Sequence, residues 1–118
     1  MGYDFLSDKP IYLQIIEYIK ECVVSEKLLP KQKLASVRDL SVKFEVNPNT
    51  VQKAMVELEE IGLIYAESTN GRFVTSNINV IKKIKQEMVE NKVSQFLDEM
   101  SKIGFSKEEI INLLRKEN

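Results

Sequence analysis

Residues 36–61 read SVRDLSVKF, then EVN, then PNTVQKAMVELEEI: two short helical patterns held a three-residue turn apart. In the first, Val37, Leu40 and Phe44 recur at i, i+3 and i+7. In the second, Val51, Ala54, Met55, Leu58 and Ile61 form one apolar face. Each pattern opens on a capping signal. Ser36 can cap the first helix, with Asp39 near its positive end. Asn47 can cap the second, and Pro48 follows at the first helical position, where its missing N–H costs nothing. A helix, a tight turn and a second helix of this kind form a helix-turn-helix, whose second helix enters a DNA major groove.

Upstream, Pro10 stands at a helix start, and Tyr12, Ile15, Ile16, Ile19, Cys22 and Val23 share a face at helical spacing. Residues 1–8 read as an irregular lead-in, and residues 25–35, with Pro30 and mixed charges, as a loop. Downstream, Gly62 is a helix stop. LIYAE and RFVTS then flank STNG, and Asn70-Gly71 suits a two-residue type I′ hairpin turn. A hairpin directly after the second helix makes a winged helix. Over residues 77–118, Ile81, Ile84, Met88, Phe96, Leu97, Met100 and Ile103 repeat near helical spacing until Gly104. Ser106 and Glu109 then carry a capping-box signature, with Phe105 and Ile110 placed as a hydrophobic staple, and Ile110, Ile111, Leu113 and Leu114 make the last helix apolar on one side. Two such helices cannot bury their faces on each other alone, so some of that surface must meet the winged helix or a second chain, and a symmetric dimer is the default.

The expected fold is therefore mainly α with a small β-hairpin. Residues 1–76 form a winged helix-turn-helix DNA-binding domain, and residues 77–118 a two-helix C-terminal dimerisation tail.

Composition narrows the chemistry. The 118 residues contain no histidine and one cysteine, so the usual zinc sets cannot be assembled within one chain, an internal disulfide is impossible, and the commonest general base is missing. No nucleophile–base pair or phosphate-cradling glycine loop appears, so no enzyme activity and no cofactor are expected. No run approaches the roughly 20 apolar residues of a membrane helix, and no signal peptide opens the chain, so a cytoplasmic protein with no membrane partner is expected. Cys22, between Ile19 and Val23 on the apolar face, reads as a buried small residue rather than a redox sensor.

Charge is the objection to DNA as partner. The net charge is −1, and residues 1–76 hold nine Lys/Arg against eleven Asp/Glu. Affinity must come from where the cations sit rather than from their number. Lys31, Lys33, Arg38, Lys53 and Arg72 can converge on one side, while Glu57, Glu59 and Glu60 fall toward the far end of the second helix.

Residues 10–76 resemble the GntR family of bacterial transcription regulators. The resemblance is carried by Pro10-Ile11-Tyr12 with Gln14-Ile15, by Leu28, Pro30 and Leu34, and by Ser36-Val37-Arg38-Asp39-Leu40. It continues through Asn47-Pro48-Asn49-Thr50-Val51, Ala54, Leu58-Glu59 and Gly62-Leu63-Ile64, and closes at Gly71, Phe73 and Val74. The short tail is similar to the YtrA-like subfamily, in which such a tail dimerises the protein and the regulated genes often encode transporters. The resemblance thus implies a homodimeric transcriptional regulator, more in keeping with a repressor, on a palindromic operator in double-stranded DNA. A small-molecule effector is compatible with it but is not identified by any residue.

Three departures stand out. Lys31 and Ala35 occupy places where the family usually has Gly and Pro. Glu45 sits in the turn where Gly is common, at a cost of about 1–2 kcal/mol if the position is left-handed. Ser68-Thr69-Asn70 replaces a more glycine-rich or basic wing tip.

Turning Val51, Met55 and Leu58 inward points Asn49, Lys53 and Glu60 outward, with Thr50 and Gln52 on the flanks. Asn49 and Gln52 carry carboxamides that match adenine; Thr50, Lys53 and the helix's own first amides can hold phosphates. The alternative is that these are ordinary solvated residues. Arg38, whose counterpart in the resembled family meets the operator, can fork onto a guanine edge or a phosphate; the alternative is a surface salt bridge with Glu45 or Asp39. Asn47 reads as a cap ahead of a base reader. Asn70, Gly71 and Arg72 form a wing that either meets DNA or merely completes the fold. The candidate DNA-contacting set is Ser36, Arg38, Asn47, Pro48, Asn49, Thr50, Gln52, Lys53, Asn70, Gly71 and Arg72. The candidate dimer interface is Ile81, Ile84, Met88, Phe96, Leu97, Met100, Ile110, Leu113 and Leu114. The competing function is a winged-helix protein-interaction module that binds no DNA.

Overall fold

A computed structural model describes residues 4–117, so residues 1–3 of the expected lead-in and Asn118 lie outside the described residues. The elements run α1 (Ile11–Val24), α2 (Val37–Phe44), α3 (Pro48–Glu60), β1 (Ile64–Ala66), β2 (Arg72–Val74), α4 (Ile78–Lys102) and α5 (Lys107–Lys116), with a 3₁₀ turn at Ser68–Asn70. The chain divides into two compact units, one ending at Lys85 and the other beginning at Gln86. The first eight residues of α4 thus belong to the same unit as the winged helix. No helix among the described residues is long and apolar enough to cross a membrane.

In the first unit α3 is the central element, packed against both α1 and α2. The faces read from the 3.6-residue period are the ones buried. Ile15, Ile16, Ile19, Cys22 and Val23 of α1 meet Leu40 and Phe44 of α2 and Val51, Ala54, Met55 and Leu58 of α3 in the core, with Tyr12 and Val37 half-buried at its margin. Tyr18 closes edge-on against Phe44 at 5.4 Å between ring centroids, a favourable quadrupole geometry. The Gln14 carboxamide pins residues 6–9 by accepting from Leu6 N–H and donating to the carbonyls of Leu6 and Lys9. Ile61 departs from its expected inward place. The helix ends one residue earlier, and Ile61, as its C-cap, is 45% exposed. Gly62 follows at φ +79, and Leu63 N–H reaches back to the Leu58 carbonyl, the backbone closure that a left-handed glycine permits.

The hairpin differs from the expected one. The register Ile64↔Val74, Tyr65↔Phe73, Ala66↔Arg72 leaves five residues, Glu67–Gly71, between the strands. Asn70 lies in the 3₁₀ turn, and the positive φ values fall at Ser68 and Gly71. A type I′ turn would need them at both Asn70 and Gly71, so this loop is closed otherwise. Asn70 N–H donates to the Glu67 carbonyl and Glu67 N–H to the Gly71 carbonyl.

The segment 25–35 is likewise more ordered than a plain loop. Lys31, at φ +69, turns the chain alongside β2. Lys31 N–H then donates to the Val74 carbonyl, Val74 N–H to the Gln32 carbonyl, and Leu34 N–H to the Arg72 carbonyl, with Lys33 bridging Phe73. This third strip satisfies an edge of β2 that would otherwise stand open.

In the second unit α4 runs to Lys102, Gly104 takes φ +76, and α5 starts on a full capping box. Ser106 Oγ accepts from Glu109 N–H at 3.1 Å, and a Glu109 carboxylate oxygen accepts from Ser106 N–H at 3.0 Å. The Ser106 backbone N–H donated to the ionised carboxylate, and secondarily the Ser106 side chain, hold the Glu109 pKa below its ordinary value of 4.5.

Candidate nucleic-acid interface

The start of α3 is held open to solvent by its cap. Asn47 is extended, its side-chain oxygen accepts from Asn49 N–H at 2.7 Å, and Pro48 brings no N–H. Thr50 N–H and Val51 N–H both turn back onto the Asn47 carbonyl. The expectation that the first amides themselves hold phosphates is therefore revised, because the cap and first turn already engage them. What this end offers an anion is the positive end of the helix dipole and its side chains. Asn49, Gln52 and Lys53 are exposed and Thr50 half-buried beside them. None of these four makes a side-chain hydrogen bond among the described residues. Lys53 instead lies over the Tyr12 ring, its Nζ 3.9 Å from the centroid, a cation–π contact that fixes the ammonium while leaving it solvated. A period within one helix cannot reveal such a cross-helix pair, and sequence reasoning missed it.

Ser36 caps α2, its Oγ accepting from Asp39 N–H at 3.0 Å. Arg38, the second residue of α2, is exposed and forms no ion pair with Asp39, Glu45 or any other carboxylate among the described residues. The turn between α2 and α3 takes its left-handed residue at Glu45 (φ +57, ψ +48), and Val46 N–H closes onto the Ser41 carbonyl.

At the wing, Asn70 is exposed and Gly71 half-buried. Arg72 lines a cleft together with Lys33 but is tied to a carboxylate. Its Nε donates to a Glu59 carboxylate oxygen at 2.9 Å, with both side chains mostly shielded from water. Glu59 faces the hairpin across the end of α3, so the nearest opposite charge captures the guanidinium. A cleft between the wing and the start of α2 is lined by Lys33, Ser36, Val37, Thr69, Asn70 and Gly71, among others.

The candidate interface residues of the tail fall into two groups. Ile84, Met88 and Ile110 are already buried within one chain, and Ile81, Leu97 and Met100 are half-buried. The three buried residues are already packed within one chain, which makes them the least available of the expected interface set. Phe96, Leu113 and Leu114 are 44%, 51% and 59% exposed. In the second unit they share that exposure with Val89, Val93, Ile103 and Ile111, of which Val89 and Val93 were not singled out from the sequence.

Residues 11–74 match the family of bacterial regulatory proteins designated gntR. The chain is 34% identical over 111 residues to the HTH-type transcriptional regulator YhcF of Bacillus subtilis (strain 168), covering 94% of this chain and 92% of that one. It is 35% identical over 97 residues to the HTH-type transcriptional repressor YtrA of the same organism, covering 82% and 70%. Its fold is similar to that of a GntR family transcriptional regulator from Listeria monocytogenes, with a TM-score of 0.86, 39% identity, and coverage of 95% and 98%. It is also similar to the DNA-binding domain of AraR in complex with operator ORX1, with a TM-score of 0.56 and 32% identity over 64% of this chain and 93% of that one. The capped α3, the Ser36–Leu40 segment and the hairpin all lie within the matched residues: the chain belongs to the GntR family of bacterial regulatory proteins, which are transcriptional regulators and not enzymes.

Proposed function

We propose that the chain is a homodimeric repressor that binds an inverted-repeat operator in double-stranded DNA. The observation that carries the reading is the exposed start of α3. There Asn49 and Gln52 are exposed and Lys53 is exposed over the Tyr12 ring, with Arg38 exposed and unpaired by any described carboxylate. Asn49 and Gln52 read base edges in the major groove, Thr50 and Lys53 hold phosphates, and Arg38 forks onto a guanine or a phosphate. Residues 1–76 do the binding and residues 77–118 the pairing. Repression by occlusion needs no contact with polymerase. A relative named as a repressor and a DNA-binding domain seen on its operator support the reading. The resemblance to the YtrA-like subfamily extends it to transporter genes as targets in the cytoplasm.

The exposed apolar residues of the second unit support the pairing. Val93, Phe96, Leu113 and Leu114 leave a face that a second copy would cover. Pairing is also required by the charge. With few cations per half, one half-site contributes modest affinity, and two linked halves multiply it.

The net charge of −2 over residues 1–76 favours a second reading, a winged helix that binds another protein. Titration of duplex DNA at stepped salt separates them. Steep weakening between low and physiological salt supports the DNA reading, and no duplex binding at any salt supports the other.

A further inference from the structure

Arg72 is the single Lys or Arg between Ile64 and Val74, and it is the residue a wing would be expected to place against DNA. Its Nε is instead bonded to Glu59 at 2.9 Å, with the two side chains 22% and 30% exposed. A guanidinium tied there through Nε would have to give up its bond to Glu59 to swing fully outward. The tip itself, Ser68-Thr69-Asn70, is uncharged. A cation nevertheless sits on the wing, contributed by a different segment. Lys33 is bridged to Phe73 through the backbone, so its place beside β2 is fixed by the sheet rather than by a mobile loop. Its side chain runs across Gly71: a Cβ built on that glycine would stand 3.0 Å from Lys33 Cε and 3.8 Å from Nζ. The lysine is exposed, pairs with no carboxylate among the described residues, and lines the same cleft as Ser36 and Asn70.

We infer that Lys33, and not Arg72, is the wing's phosphate-binding cation, while Arg72 and Glu59 are a positioning pair that docks the hairpin on the end of α3. The inference rests on the proposed binding of duplex DNA. Gly71 serves two purposes in it. Its φ of +107 closes the hairpin, and its missing side chain leaves the lane along which Lys33 reaches the tip. The arrangement also explains how residues 1–76, with eleven Asp/Glu against nine Lys/Arg, can present a cation to DNA at the wing. Glu59 is neutralised by its neighbour, and the ammonium that faces outward comes from the strip ahead of α2.

The test is the salt dependence of operator binding, measured on the full chain with an operator fragment recovered by selection from random duplexes. Each phosphate contact contributes about 0.9 to the slope of log K against log salt. Lys33→Gln is expected to lower the slope by about 2 in a dimer, one contact per half, with the thermal melt unchanged. Arg72→Gln is expected to keep the wild-type slope while lowering the melting temperature. Adding Glu59→Gln to it is expected to restore part of the lost stability, because the orphaned carboxylate is removed. An unchanged slope and affinity in Lys33→Gln overturns the inference. So does a slope lowered by Arg72→Gln to the same degree as by Lys33→Gln, since Arg72 would then be the contact. Wild-type protein that binds no duplex at any salt overturns the DNA reading itself, and the inference with it. Wild-type binding with an unaltered Lys33→Gln slope overturns the inference alone.

Discussion

Arg38 stands at the second position of α2, exposed and in no ion pair among the described residues, so its five donors are open to a ligand. An operator guanine or phosphate would satisfy them in a fork. Arg38→Ala is expected to weaken specific operator binding by about fivefold to 150-fold in Kd for each bidentate contact of about 1–3 kcal/mol lost, without shifting the far-UV circular dichroism melt. Unaltered affinity in a gel shift would take Arg38 out of the site. Glu45 makes the opposite kind of argument, since its backbone rather than its side chain sets the cost. At φ +57 it holds a left-handed conformation unfavourable to L residues by about 1–2 kcal/mol, partly offset by the extra entropy a glycine brings to the unfolded chain. Glu45→Gly is therefore expected to stabilise the protein by about 0.5–1 kcal/mol, read as a higher urea midpoint. A lower midpoint would mean that the Glu45 side chain contributes more than its backbone costs.

Among the elements, those whose signals are local were legible in the sequence. The caps at Ser36, Asn47 and Ser106 depend on one oxygen two or three residues from its donor, and all three form as read. The apolar faces of α1, α2 and α3 follow from a fixed period. What escaped reading depends on pairing across the chain. The hairpin tip is set by the register of Ala66 against Arg72 and not by the Asn70-Gly71 dipeptide, and the strip at Lys31–Leu34 forms only because β2 has an edge to fill. Periodicity placed Lys53 outward and Arg72 was read as a wing residue, yet Tyr12 and Glu59 determine where their charges sit. The α5 cap carries a prediction of its own. Because the Glu109 pKa is lowered in the fold, the stability it lends is complete above the ordinary glutamate value of 4.5 and is lost as pH falls through the lowered one. Amide exchange at the start of α5 is expected to quicken over that acidic range. Glu109→Gln, which can still close the box, is expected to remove the dependence, and equal pH profiles in both proteins would contradict the role.

At the scale of the whole molecule, the proposed pairing would make a binding surface with few cations effective through duplication. Replacing Leu113 and Leu114, both more than half exposed, by Glu leaves the core of a single chain intact and places charge on the face proposed for pairing. The variant is expected to sediment as a monomer, with a wild-type melt extrapolated to low concentration, and to bind a full operator with the affinity of a half-site. A dimer that survives both substitutions would place the pairing surface elsewhere. Beneath these predictions lies one proposition, that two copies of the α3 start, with Arg38 alongside, read a symmetric sequence. Selection of fragments bound by the intact chain from random duplex DNA tests it in one step. The expected product is an inverted repeat with half-sites about one helical turn apart or closer; recovery of no common sequence, or of a single half-site bound by one chain, would contradict it.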